Sequence, residues 1–290
     1  MQKIMKPVLD RMAAAGLNET ELKLILHVCR FQDGHGHVSG IHYREAAESA
    51  GMCVQSFYNA LRGLEDKGIV STGTTDAGDH DIRVIGNADP YTVGGGENTA
   101  YLSLRHAILA DPGFDRMKPN AKALTMLIML YCGASANSPG KKGSYRMEKS
   151  HFYGQYCRLL GVEKDTLRRY LGQMRKYFSI YILAGRYWFV PKKGVFGPAG
   201  NAPSDNDLLV GHLAKTAHRR AGRRAGDGPP GKMWFVTAYW KFDRGKRMVA
   251  DCFLAAYRRC CDQNGHGPPG ESHVHKLMRE ELTRAGAQLA

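Results

Sequence analysis

Long apolar runs are missing from this chain. No stretch of about 18 uninterrupted apolar residues occurs, so no membrane-spanning helix is expected. The opening segment "MQKIMKPVLDRMAAAG" is broken by charges and by Pro7, and it lacks the apolar stretch of a secretory signal. Paired cysteine spacings are missing too. Seven cysteines is an odd number without a repeated CxxC pair, which fits free thiols in a reducing cytosol better than a disulfide framework. Acidic residues are scarce in one half only. Residues 1–145 hold 15 Lys+Arg against 15 Asp+Glu, whereas residues 146–290 hold 26 against 12 and so carry the whole net charge of +14. A basic excess confined to one half implies a polyanion-binding surface there, with nucleic acid the usual partner. No basic amphipathic helix is clean enough to favour a membrane surface instead. What is present is a 43% apolar composition over 290 residues, enough for the cores of two ordinary domains or three small ones.

Periodicity places the elements. Asn18-Glu19-Thr20-Glu21 reads as a helix N-cap with a capping-box Glu, and apolar residues follow at helical spacing to about Phe31. A turn with a short strand (33–40), a second helix (41–50) stopped by Gly51, and a third helix over Cys53–Lys67 come next. "IVSTG" and "DIRVIG" then bracket a turn-rich loop as a hairpin. Residues 86–100, rich in Gly, Pro and Asn, read as a linker. Beyond "YLSL", a candidate strand, the same order returns: an apolar helix from about Asn120, a helix over 147–160, a helix over 162–178, and a hairpin with a tight turn at Ala184-Gly185. Residues 206–222 and 244–263 read as helices, "KMWFVTAYW" (232–240) as a strand, and 269–286 as a terminal helix.

Two stretches carry the repeat. In "GMCVQSFYNALRGLEDKGIV" and "GVEKDTLRRYLGQMRKYFSI", Gly51 aligns with Gly161, Met52 with Val162, Phe57 with Leu167, Leu61 with Leu171 and Leu64 with Met174. These spacings put the apolar positions on one helix face behind an anchored turn. Opposite lie Val54, Gln55, Tyr58, Asn59 and Arg62 in the first copy, and Lys164, Asp165, Arg168, Arg169 and Gln173 in the second. The DNA major groove, about 12 Å wide, admits one such helix. A preceding helix and turn fix its angle, and long polar side chains then reach bases or phosphates.

Both stretches, with Gly68-Ile69 and the hairpins that follow, resemble the winged helix-turn-helix superfamily, as in MarR-like and GntR-like regulators. The tandem arrangement is similar to that of RepA-type plasmid replication initiators. The resemblance implies a mainly α fold with small β-hairpin wings: a first winged-helix domain (1–87), a linker (88–100), a second (101–193), and a basic C-terminal region (194–290) of Gly/Pro-rich loops, a strand and helices. It implies a cytoplasmic, nucleoid-associated protein that binds double-stranded DNA without a cofactor. The expected role is control of transcription, with a mobile element as one setting; replication initiation and a protein-interaction module are the alternatives. Candidate DNA contacts are Lys164, Asp165, Arg168, Arg169, Gln173, Lys176, Arg186 and Lys192 in the second copy, with Arg175 and Lys193 nearby, and Gln55, Ser56, Tyr58, Asn59 and Arg62 in the first. Asp76, Asp79 and Asp81 in the first hairpin oppose phosphate, so the first copy is open to a protein partner or a second copy as a homodimer. The run "HRRAGRR" offers Arg219, Arg220, Arg223 and Arg224 as a phosphate-binding arm, against a solvated helix end.

Catalysis finds little support. His273-Val274-His275 matches the His-apolar-His core of rolling-circle nickases, but it opens a helical stretch and no tyrosine follows it. Cys260, Cys261, His266, His273 and His275 fit no zinc-ligand spacing. His35 and His37 read as turn residues, and Gly94–Gly96 lacks the Lys-Ser/Thr of a P-loop. The chain is therefore expected to be a non-enzymatic binder.

Overall fold

Asn18 and Glu21 begin the first long helix as the sequence predicts. Asn18 Oδ1 accepts the Glu21 amide at 2.9 Å and Glu21 Oε2 accepts the Asn18 amide at 2.8 Å, which satisfies donors that a helix start otherwise leaves orphaned. The computed structural model describes residues 2–74, 78–94, 100–136, 143–197, 203–223, 233–265 and 269–287. It is mainly helical with three small antiparallel sheets. Among the described residues no helix is long and apolar enough to cross a membrane.

The chain runs β1 (Lys3–Met5), α1 (Lys6–Ala14), α2 (Glu19–Val28), β2 (His37–His42), α3 (Tyr43–Ser49), α4 (Val54–Asp66), β3 (Val70–Thr74), β4 (Asp79–Val84) and a short α5 (Pro90–Val93). Next come β5 (Tyr101–Ser103), a short α6 (Pro112–Asp115), α7 (Pro119–Ala136), β6 (Tyr145–Glu148), α8 (Lys149–Leu160), α9 (Lys164–Met174), β7 (Phe178–Leu183) and β8 (Arg186–Pro191). The repeat is real in architecture. Helix, strand, helix, turn, helix and hairpin recur, and the two sheets have the same order, β2-β4-β3 and β6-β8-β7. β6 is a strand that the sequence reading partly assigned to the next helix; its alternation of half-buried Tyr145 and Met147 with exposed Arg146 and Glu148 is the period of a half-buried strand.

The two repeats share one core. Ile4, Leu9, Leu24 and Phe57 belong to the same buried cluster as Leu124, Phe152, Leu167 and Phe189. α1, at the head of the first repeat, packs against α7 and α8 of the second. β1 pairs with β5, so the segment after the expected linker returns to the N-terminus. Within the 86–100 stretch, Asn87 is fully buried. Its Oδ1 accepts the Met5 amide at 2.7 Å, and its Nδ2 donates to Lys3 O at 3.0 Å and Gln32 Oε1 at 2.6 Å.

A second core holds the C-terminal helices α10 (Asp205–Arg220), α11 (Phe235–Ala238), α12 (Arg247–Asn264) and α13 (Glu271–Arg284). Here one expectation fails. The described part of "KMWFVTAYW", residues 233–240, forms α11 and enters a 3-10 turn at Trp240–Phe242, not a strand. No neighbouring strand edge is offered among the described elements of this region, and Val236 instead buries against helices. His275 of the nickase-like pair sits on α13, where its Nε2 lies 2.5 Å from Tyr239 Oη and its ring stacks on Phe235. It is a packed helix residue. Among the described residues no group of His, Cys, Asp and Glu could hold a metal ion.

Candidate nucleic-acid interface

The turn that projects α9 is built by Gly161. This residue ends α8 with φ 60°, a left-handed conformation that glycine adopts without strain. The Val162 amide then donates to Cys157 O at 3.0 Å. The first repeat repeats the detail: Gly51 has φ 63°, and the Met52 amide donates to Ala47 O at 2.9 Å. Burial follows the same template, since the patterns of residues 51–66 and 161–176 differ only at Gly63 against Gln173. Leu167, Tyr170, Leu171 and Met174 face the core, as do Phe57, Ala60, Leu61 and Leu64.

The outward faces differ in chemistry. On and just beyond α9, Lys164, Asp165, Arg168, Arg169, Gln173, Arg175 and Lys176 are exposed. Residues 146–197 hold 11 Lys+Arg against 3 Asp+Glu, so the charge is concentrated in the second repeat. Arg168 Nη1 pairs with Asp165 Oδ1 at 2.6 Å in an exposed bridge that costs little to open. Arg169 reaches Thr166 Oγ1 at 3.3 Å. Lys176 is held by Asp111 Oδ1 at 2.7 Å, and Lys176 and Tyr177 together push the Asp111 carboxyl down to about 2. Lys192 donates to Arg175 O at 2.6 Å, tying the hairpin base to the end of the helix. Arg186 stands exposed at the tip of the hairpin, across from Leu183. Lys164, Arg175 and Arg186 stand in no ion pair among the described residues. Arg146, on β6 and over the Trp188 ring at 5.5 Å, adds a cation beside the hairpin that the sequence reading missed. The alternation of Tyr145 and Met147 with charged Arg146 and Glu148 is its only signal in the sequence.

On α4 the exposed side chains are nearly neutral. Gln55 Nε2 donates to Asn59 Oδ1 at 3.0 Å, Tyr58 packs edge-on to His80, and Arg62 is followed by Glu65 and Asp66. Ser56 is half-buried, 3.2 Å from the Cys53 sulfur.

The arginine arm and the acidic hairpin turn out to meet. α10 lies along β2, and its arginines point into the first repeat. Arg219 Nε donates to Asp79 Oδ1 at 2.9 Å, its Nη1 to Glu45 Oε1 at 2.9 Å and its Nη2 to Gly40 O at 2.8 Å. Arg220 Nη2 donates to Asp81 Oδ1 at 2.6 Å. Asp79 is fully buried. Arg219 and Arg220 are thus structural fasteners and not a phosphate arm, and Asp79 and Asp81 are neutralised by them and not displayed at a tip. Arg223 donates to Gly265 O at 2.7 Å. Arg224 and Asp76 lie outside the described residues. Neighbouring contacts complete the join: His212 stacks on Phe31 at 4.7 Å and donates from Nε2 to Ser39 O at 2.7 Å. Burial drives the His212 imidazole down to about 4, and does the same to His27 beside Phe31.

The site groups therefore sort into two. The second-repeat candidates share one exposed basic face, and the first-repeat candidates share a separate, nearly neutral one. No family model, curated protein or solved structure matches this chain.

Proposed function

We propose that the chain binds double-stranded DNA through a tandem of winged helices, with α9 of the second repeat as the reading helix. The observation that carries this reading is the concentration of exposed cations on a rigidly projected helix and its hairpin. Lys164, Arg168, Arg169, Arg175 and Arg186 outnumber the acids beside them, Glu163 and Asp165 at the start of the helix and Glu148 across from Arg186. Such a surface neutralises phosphates in a salt-dependent way, while Gln173, Asp165 and the arginines supply hydrogen-bonding groups for base edges. Lys176 is a weaker candidate because Asp111 already holds it.

The first repeat reads differently. Its helix face is nearly neutral and its hairpin is fastened to α10, which favours an interaction role for that half. The biological role we propose is regulation of transcription. The alternative is replication initiation, favoured by the shared core that holds two repeats in fixed relation on one chain.

Selection from a random duplex pool at two salt concentrations tests the reading, with wild type beside Arg168→Ala/Arg169→Ala. One enriched motif, lost in the double variant, is the expected result. Weak binding with no enrichment and no salt dependence sinks it. Position of the motif near a promoter, or in direct repeats beside an AT-rich tract, then separates regulator from initiator.

A further inference from the structure

Between α9 and β7 runs an open crevice of about 350 Å³, and at the equivalent place in the first repeat a Glu65–Thr72 hydrogen bond spans from α4 to β3. Its walls in the second repeat are Arg168 and Arg175 on one side and Ile180 and Ile182 on the other, with Gly172 at its edge. A Cβ built at Gly172 would meet no atom within 4 Å, so that position opens onto empty space. Ile182 is 51% exposed, although it is a large apolar side chain on a sheet.

The repeat supplies an internal control. The alignment that matches Gly51 to Gly161 puts Arg62 where the second repeat has Gly172, and Glu65 where it has Arg175. Glu65 Oε1 accepts both the amide (3.0 Å) and the hydroxyl (2.5 Å) of Thr72, so it laces α4 to its hairpin. Strand register places Ile180 at the position of Thr72, because Val70↔Val84 corresponds to Phe178↔Pro191. The second repeat thus lacks both the long side chain of Arg62 and the carboxylate that bridges helix and strand in the first. In their places are a glycine and a cation.

We infer that this crevice seats one sugar–phosphate strand of the DNA duplex, and that the pairs Arg62/Gly172 and Glu65/Arg175 decide which repeat can do so. The inference rests on the DNA-binding reading above. Charge complementarity names the occupant: two guanidinium groups face an apolar wall, which matches phosphate oxygens alternating with the apolar faces of deoxyribose. Arginine suits this because its planar fork can bind phosphate in a bidentate manner. The missing side chain at residue 172 lets the strand approach the helix closely.

The test uses the full chain and a fluorescently labelled random-sequence DNA duplex, with affinity measured over a salt series. Gly172→Ala is expected to keep binding, and to raise Tm slightly because glycine is unfavourable inside a helix. Gly172→Leu fills the crevice without changing charge. It is expected to weaken binding about tenfold and to flatten the salt dependence by about one phosphate contact. Ile182→Glu repeats the question at an already exposed side chain, where folding is not at stake, and the same loss is expected. If wild type binds and both Gly172→Leu and Ile182→Glu bind equally well with unchanged salt slopes, the crevice is not the seat, while DNA binding stands. If wild type itself shows no salt-dependent affinity, the underlying reading fails and this inference with it.

Discussion

At the residue scale the most consequential group is Asp79, fully buried between Arg219 and Arg220. Removing one partner from a buried ion pair leaves a carboxylate short of compensation, which is far costlier than losing a surface bridge. Arg219→Ala is therefore expected to destabilise the protein by about 3 kcal/mol, read from urea unfolding. A change under about 0.5 kcal/mol, the scale of an exposed bridge, would contradict the fastening role. Histidine adds a pH dependence here. His212 and His27 are held neutral down to about 4 by burial, whereas an unfolded histidine takes its proton near 6.5. Below that value the unfolded chain binds protons that the folded chain refuses, so stability falls as pH drops between about 6.5 and 4. Each histidine is expected to cost about 2 kcal/mol by about pH 5. His212→Gln, which keeps a donor for Ser39 O, should flatten the profile of unfolding free energy against pH over that window.

At the element scale the second hairpin turns on Ala184-Gly185, with φ 49° and 74°. Both central residues of this two-residue turn are left-handed, the type I′ geometry that matches the twist of paired strands. Alanine is strained there and asparagine tolerates it better. Ala184→Asn is expected to stabilise the fold by about 0.5–1 kcal/mol in thermal unfolding, with DNA affinity unchanged. Much at this scale was legible from sequence. The capping box at Asn18, both glycine turns and the buried faces of α4 and α9 follow from local spacing, and the structure places them there. Short edge elements were not legible. β1 and β6 have three and four residues, too few for a period to stand out, and they exist because β5 and β8 offer edges. "KMWFVTAYW" misled because its aromatic and β-branched content fits a strand, while the helices packed over it decided otherwise. The Arg219–Asp79 bond joins residues 140 apart in sequence. In the sequence one looks like a phosphate arm and the other like a repelling tip, because local pattern carries no information on which distant charges will meet.

At the scale of the whole molecule the two repeats share one buried core and the C-terminal helices hold another. The first core runs from Ile4 to Val195 without a break between repeats, and the second involves only residues from Leu209 onward. The join between them is largely polar: the Arg219 and Arg220 bonds, the His212 contacts, and Gln2 donating to Asp205 at 3.0 Å. Splitting the chain within the first core should therefore fail where splitting between cores succeeds. A fragment of residues 1–94 strips α1 of its seat on α7 and α8 and exposes that apolar face to water, so it is expected to show no cooperative unfolding transition. A fragment of residues 1–197 keeps the whole first core and the entire α9 surface. It is expected to unfold in one transition and to retain salt-dependent DNA binding, with some loss of stability from the uncovered Asp79. Circular dichroism melts of both fragments, with duplex titrations of the second, check this. If residues 1–94 fold on their own, the repeats are independent domains and the shared core is not what fixes α4 relative to α9.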